Sequence, residues 1–99
     1  MKITLSQQIS LEDFRKGFVN IYKYFDSAVI PHKGDLITDS LYKDPDEHEV
    51  VEVVINYQNN ECLVILEMIK LESNDSKDLK KFVDLAELHG WECPIKDVL

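Results

Sequence analysis

Seven carboxylates and no Lys or Arg fall between residues 44 and 69: Asp44, Asp46, Glu47, Glu49, Glu52, Glu61 and Glu67. Acids at this density can do three kinds of chemistry. Two that face each other can share a proton and act as an acid–base pair, because the second charge raises the pKa of the first. Grouped with an imidazole, they offer hard ligands to a divalent cation. Spread over a surface, they attract a basic macromolecule and repel phosphate backbones and anionic membrane.

The metal reading has two candidates. Asp44, Asp46, Glu47, His48 and Glu49 lie within six residues, but they lack the glycine and the closing glutamate of a calcium loop. His89 and Cys93 are four apart, yet Gly90 and Pro94 should break any helix between them, and two ligands do not complete a zinc site. Cys62 and Cys93 have no CxxC spacing, so they are expected as free, buried, apolar-like thiols in a reducing compartment. There is no glycine-rich phosphate loop, no GxSxG and no HExxH. The only glycines are Gly17, Gly34 and Gly90. No metal, no cofactor and no catalytic activity are therefore expected.

The chain has 99 residues, a net charge of −8 and 44% apolar residues. That suits a single domain over residues 1–99. The acidity is local: residues 1–43 sum to +1, residues 44–69 to −7 and residues 70–99 to −2. A signal peptide would need an apolar run of about 7–15 residues after its basic start. Polar Ser6, Gln7 and Gln8 interrupt the start here. The run Cys62–Leu66 is far short of the roughly 20 residues that span a bilayer. A cytoplasmic location with no membrane contact is expected.

Several elements must position these groups. Lys2–Leu5 reads as a short strand. Ser10 looks like a helix cap with Asp13 in the capping-box place. Leu11, Phe14, Phe18, Ile21, Tyr22 and Phe25 then fall within a ~100° arc at helical spacing, which predicts a helix over 11–26 with Phe18 mid-stripe. Pro31, Gly34 and Asp35 mark a turn before a short strand at Leu36–Thr38.

Residues 49–58 and 62–71 are rich in β-branched side chains and predict a hairpin. A two-residue turn at Asn59–Asn60 would join them. In that register Tyr57, Ile55, Val53 and Val51 meet Cys62, Val64, Leu66 and Met68 on the core face. Asn56 meets Leu63, Val54 meets Ile65 and Glu52 meets Glu67 on the other. Leu79, Phe82, Val83 and Ala86 predict a second helix over 77–89, ended by Gly90, with Trp91 folding back. Trp91–Cys93 reads as a last edge strand.

The expected architecture is thus α+β: a small antiparallel sheet built on a central β-hairpin, with an N-terminal and a C-terminal helix on one face. The expected function is a small acidic binding protein, of the kind found among inhibitors and immunity proteins. It would dock a basic protein partner, and not nucleic acid, through Glu52, Glu67, Glu61 and Asn56, together with Asp44, Asp46, Glu47 and Glu49. Two alternatives stand beside it. One is a homodimer or larger homo-oligomer that buries the second sheet face. The other is a small enzyme that uses the Glu52–Glu67 pair.

Overall fold

The computed structural model describes residues 1–39 and 46–94. Six strands form one sheet: β1 (Lys2–Ser10), β2 (Phe18–Asp26), β3 (Leu36–Asp39), β4 (Asp46–Asn56), β5 (Glu61–Leu66) and β6 (Ile69–Lys70). One helix, α1 (Ser76–Leu88), follows them. The strand order is β2-β1-β5-β4-β3, with β6 continuing beside β1 after β5 ends. Most pairings are antiparallel, but β1 runs parallel to both β5 and β6. The protein is a small mixed α+β domain, and the expected all-antiparallel sheet is corrected.

The expected helix over 11–26 is not there. In its place stand a single 3-10 turn at Phe14–Lys16 and strand β2, which pairs along its whole length with β1. The cause lies in a coincidence of periods. Leu11, Ile21 and their neighbours fit 3.6, but Val19 and Ile21 point inward while Phe18 and Tyr24 point outward, which fits 2. The composition decides between them. Phe, Val, Ile and Tyr favour a pleated surface, and Gly17 inside a helix would cost about 1 kcal/mol. Asp13 caps the short turn instead, accepting from the Arg15 backbone N–H at 3.0 Å. Its hydrogen bonds from the Arg15 side chain and backbone hold this carboxyl below its ordinary 3.8. Gly17 lets the chain turn tightly into β2, for a Cβ there would lie 3.2 Å from a Leu11 methyl.

Helix α1 forms as its pattern predicts, within a residue of the expected bounds. The Asp75 side chain accepts from Lys77 N–H at its start. Leu79, Phe82, Val83 and Ala86 are buried. Gly90 adopts φ 88° just past its end, and Trp91 N–H returns to the Ala86 carbonyl at 3.1 Å. Trp91 is buried, and the Lys23 ammonium lies 5.9 Å from its ring centroid. The expected last strand is reduced to a bridge, in which Glu92 exchanges two backbone hydrogen bonds with Tyr22.

Ile3, Leu5, Ile9, Val19, Ile21, Cys62 and Val64 line the inner face of the sheet, in one core with the α1 stripe. Gln7 is also buried there, and its amide donates to the Glu67 carbonyl at 3.1 Å. Burial pushes the Cys62 thiol above its ordinary 9.0. Its solvent exposure is 0%. Native Cys62 should therefore label with a disulfide reagent at pH 8 only as fast as the protein opens. Labelling at the rate of the urea-unfolded chain would contradict this burial.

Candidate functional site

The hairpin β4–β5 carries the acidic run, but in a register two residues from the expected one. Tyr57–Asn60 form a four-residue turn, so Asn56 pairs with Glu61, Ile55 with Cys62, Val54 with Leu63 and Val53 with Val64. The Asn56 side-chain oxygen accepts from Asn59 N–H at 3.2 Å and fixes the turn, and Asn60 takes φ 55°. A slip of two leaves the inner face of β5 as expected. It changes what stands opposite the glutamates: Glu52 meets Ile65, not Glu67. The carboxylate pair on which acid–base chemistry would rest is not formed.

A second irregularity matters more. The register shifts between Val50 and Glu52, so that Val50 meets Leu66 and Val51 is the bulged residue. Val50 is buried and Val51 is exposed, the reverse of the expected facing. Met68 is likewise exposed and not on the core face. Simple alternation would send Glu49 and Glu52 to opposite sides of β4. The extra residue cancels that. Glu47, Glu49 and Glu52 now share the outer face with Val54 and Asn56, while His48 turns inward with a side chain only 13% exposed. Glu67 sits at the break after β5, where its carboxylate accepts from Glu49 N–H at 3.2 Å and lies 3.7 Å from His48 Nδ1.

The outer face can be followed across four strands from the registers. Tyr24, Thr4, Leu63 and Val54 form one row. Tyr22, Ser6, Ile65 and Glu52 form the next. Asp26, Lys2, Glu61 and Asn56 close one end. Leu63 and Ile65 are half-buried, and Val54 is 48% exposed. No helix covers this side among the described residues; α1 lies on the other. The arrangement is an apolar patch bounded by Glu52 and Glu61, with Glu47 and Glu49 further along β4.

Of the expected binding residues, the structure brings Glu47, Glu49, Glu52, Asn56 and Glu61 to one face and places Glu67 at its margin. Asp46 joins β4 through its backbone pairing with Asp39. Asp44 lies outside the described residues. The sequence reading missed Ser6, because the expected first strand stopped at Leu5, and Tyr22 and Tyr24, because the expected helix removed them from the sheet. The signal for the tyrosines was the alternation Asn20, Tyr22, Tyr24 against Val19, Ile21, Lys23. Among the described residues, no three His, Cys, Asp or Glu side chains converge as metal ligands, and no helix is long and apolar enough to cross a membrane. Comparison with protein-family models, with curated proteins and with solved structures finds no match.

Proposed function

We propose that this protein is a non-enzymatic binding module that docks a basic protein partner on the outer face of its sheet. An acidic inhibitor or immunity-type protein of the cytoplasm is the class that suits this chemistry. One observation carries the reading: the bulge at Val51 places Glu47, Glu49 and Glu52 on the same face as Val54, Leu63 and Ile65. An apolar centre with a charged rim is the anatomy of a protein interface. The rim carries one sign of charge along β4, which steers a partner of opposite sign and raises the association rate. Lys2, between Asp26 and Glu61, and Lys70, beside Ser10, are the cations that the registers place on this face, at opposite ends. A second copy of the chain that meets it through the same face therefore brings little positive charge to the glutamates.

The test begins with affinity capture from lysate of the source cell and elution by salt. Stopped-flow association with the recovered partner follows. Glu52→Lys should slow association about tenfold at low salt, within the range that electrostatic steering supplies. It should leave the urea midpoint unchanged, because Glu52 is exposed and faces Ile65. Glu72→Lys, beside α1, should change the rate less than twofold. Equal slowing by both variants would mean that net charge, and not this face, guides the partner. A stable homodimer in light scattering, with no captured partner, would instead favour self-association.

A further inference from the structure

We infer that the chain self-associates edge to edge, through an antiparallel pairing of β4 with β4 of a second copy, centred on Val54. This edge is separate from the outer face proposed above, and the pairing leaves that face open. β3 covers only the first part of β4, with pairs that run from Asp39–Asp46 to Leu36–Glu49. The Gly34 N–H then donates to the Val50 carbonyl and the Val50 N–H to the Asp35 carbonyl, each at 2.8 Å. Beyond Val51, β4 pairs with β5 on one side and, among the described residues, with no strand on the other. The phase of the ladder shows which backbone groups are open. The Lys2 N–H donates to the Asn60 carbonyl, so Cys62 and Val64 turn their backbone groups to β1, and Glu61, Leu63 and Ile65 turn theirs to β4. Asn56, Val54 and Glu52 are the partners of these three. The N–H and carbonyl groups of Val53 and Ile55 therefore point to the open side.

An apolar edge of this kind is a template for another strand, and proteins blunt such edges with Lys, with Pro or by keeping the strand very short. The outer edge of β3 is four residues long, and that of β2 is bridged by Glu92 at Tyr22. Residues 51–57 carry no such device. They read Val-Glu-Val-Val-Ile-Asn-Tyr, and Val51, Val54, Ile55 and Tyr57 are exposed.

The same residues choose the occupant, because the segment matches itself when read from either end about Val54. In an antiparallel pairing centred there, Val54 meets Val54, Val53 meets Ile55, Glu52 meets Asn56 and Val51 meets Tyr57. Val53 and Ile55 make the hydrogen-bonded pairs, so their open groups are all used. No glutamate faces a glutamate: Glu52 and its copy stand about 14 Å apart along the strands, beyond the screening length of about 10 Å at 0.1 M salt. Neighbouring registers fit worse. Centred on Val53, the pairing would set Asn56 of the copy against Val50, whose groups Gly34 and Asp35 already hold. Centred on Ile55, it would leave Val51 and Glu52 beside the turn of the copy. The two-fold axis stands perpendicular to the sheet, so both outer faces look the same way.

Cysteine coupling tests the register. Cys62 and Cys93 are buried, so a thiol placed on β4 reports alone. Val54→Cys should give a disulfide-linked dimer on mild oxidation. Facing residues of a non-hydrogen-bonded pair lie about 4.5 Å apart at Cα, within disulfide reach. Val53→Cys and Ile55→Cys should couple at least tenfold more slowly. Sedimentation of the wild-type chain should show a reversible dimer that salt tightens, since both copies are acidic, whereas salt weakens the docking of a basic partner. Ile55→Pro should weaken the dimer at least tenfold, because it removes an N–H on the open side, where a strand tolerates proline. Val54→Lys, which sets two ammonium groups face to face, should do the same. Thermal melts would confirm that both variants fold. Equal coupling at the three positions, or faster coupling at residue 53 or 55, would overturn the pairing. So would a wild-type chain that stays monomeric at millimolar concentration, including one that takes a foreign extended peptide at this edge. Either result would leave the acidic docking face standing.

Discussion

Val19→Asp is expected to leave the chain unfolded at neutral pH, whereas Phe18→Asp should lower its stability by only about 1 kcal/mol, the scale of one aromatic pair. Val19 has 0% exposure on the inner face of β2. A carboxylate there would sit in the apolar core beside Ile9 and Ile21, and even after relaxation a buried unpaired charge costs several kcal/mol. A domain of this size holds about 5–15 kcal/mol in total. Phe18 is 40% exposed and stacks on Phe14, with centroids 4.4 Å apart. Losing that stack while reaching water is a modest change. Urea unfolding of the two variants measures the difference. A helix over 11–26 would reverse the order, since it sets Phe18 mid-stripe and Val19 aside.

That reversal shows what a single chain can and cannot disclose. Helix α1 was legible because Leu79, Phe82, Val83 and Ala86 repeat without rival, between a capping Asp75 and Gly90. Strand β5 was legible because Cys62–Leu66 is a short apolar run with β-branched side chains, set just after the turn residues Asn59 and Asn60. Strand β2 was not, because its aromatic residues satisfy two periods at once, and its real partner is decided by contact with β1. The full length of β1 was hidden by Ser6, Gln7, Gln8 and Ser10, which look like loop until Gln7 is seen buried with its amide donating to the Glu67 carbonyl. The parallel β1–β5 pairing joins residues some sixty apart, such as Ile3 and Cys62, and nothing local encodes it.

The candidate site was legible by composition and not by geometry. Every described acid of the 44–69 run falls in or beside the β4–β5 hairpin, as its position suggests. Their common facing depends on the bulge, and the apolar run Val50-Val51 and Val53-Val54-Ile55 gives no alternation to fix where a bulge falls. Turn length was equally ambiguous, since Asn56, Asn59 and Asn60 all suit turns. Two residues of slip moved Glu52 from Glu67 to Ile65 and removed the acid–base pair.

Ile65→Glu is expected to weaken partner binding about hundredfold, or roughly 2.7 kcal/mol. Ile65 sits half-buried at the centre of the outer face, between Ser6 and Glu52. Binding energy concentrates in such central, desolvated anchors, while rim charges contribute mainly to the association rate. The substitution adds one more acid to an acidic face. If charge alone held the partner, affinity would stay or rise. If the apolar centre is the anchor, dissociation accelerates while low-salt association stays fast. Surface plasmon resonance separates these outcomes, and a urea melt shows that the half-buried position tolerates the change in the free protein.

The central claim is that the outer sheet face, gathered by the Val51 bulge, is the surface that meets the basic partner. The most direct measurement is an NMR perturbation map of the isotope-labelled protein at low salt as the captured partner is added. Amide and methyl shifts should concentrate at Thr4, Ser6, Val54, Leu63 and Ile65, with Glu52 among them and α1 unmoved. Shifts confined to Ser76–Leu88, or to the His32–Leu36 turn, with the outer face silent, would contradict the claim.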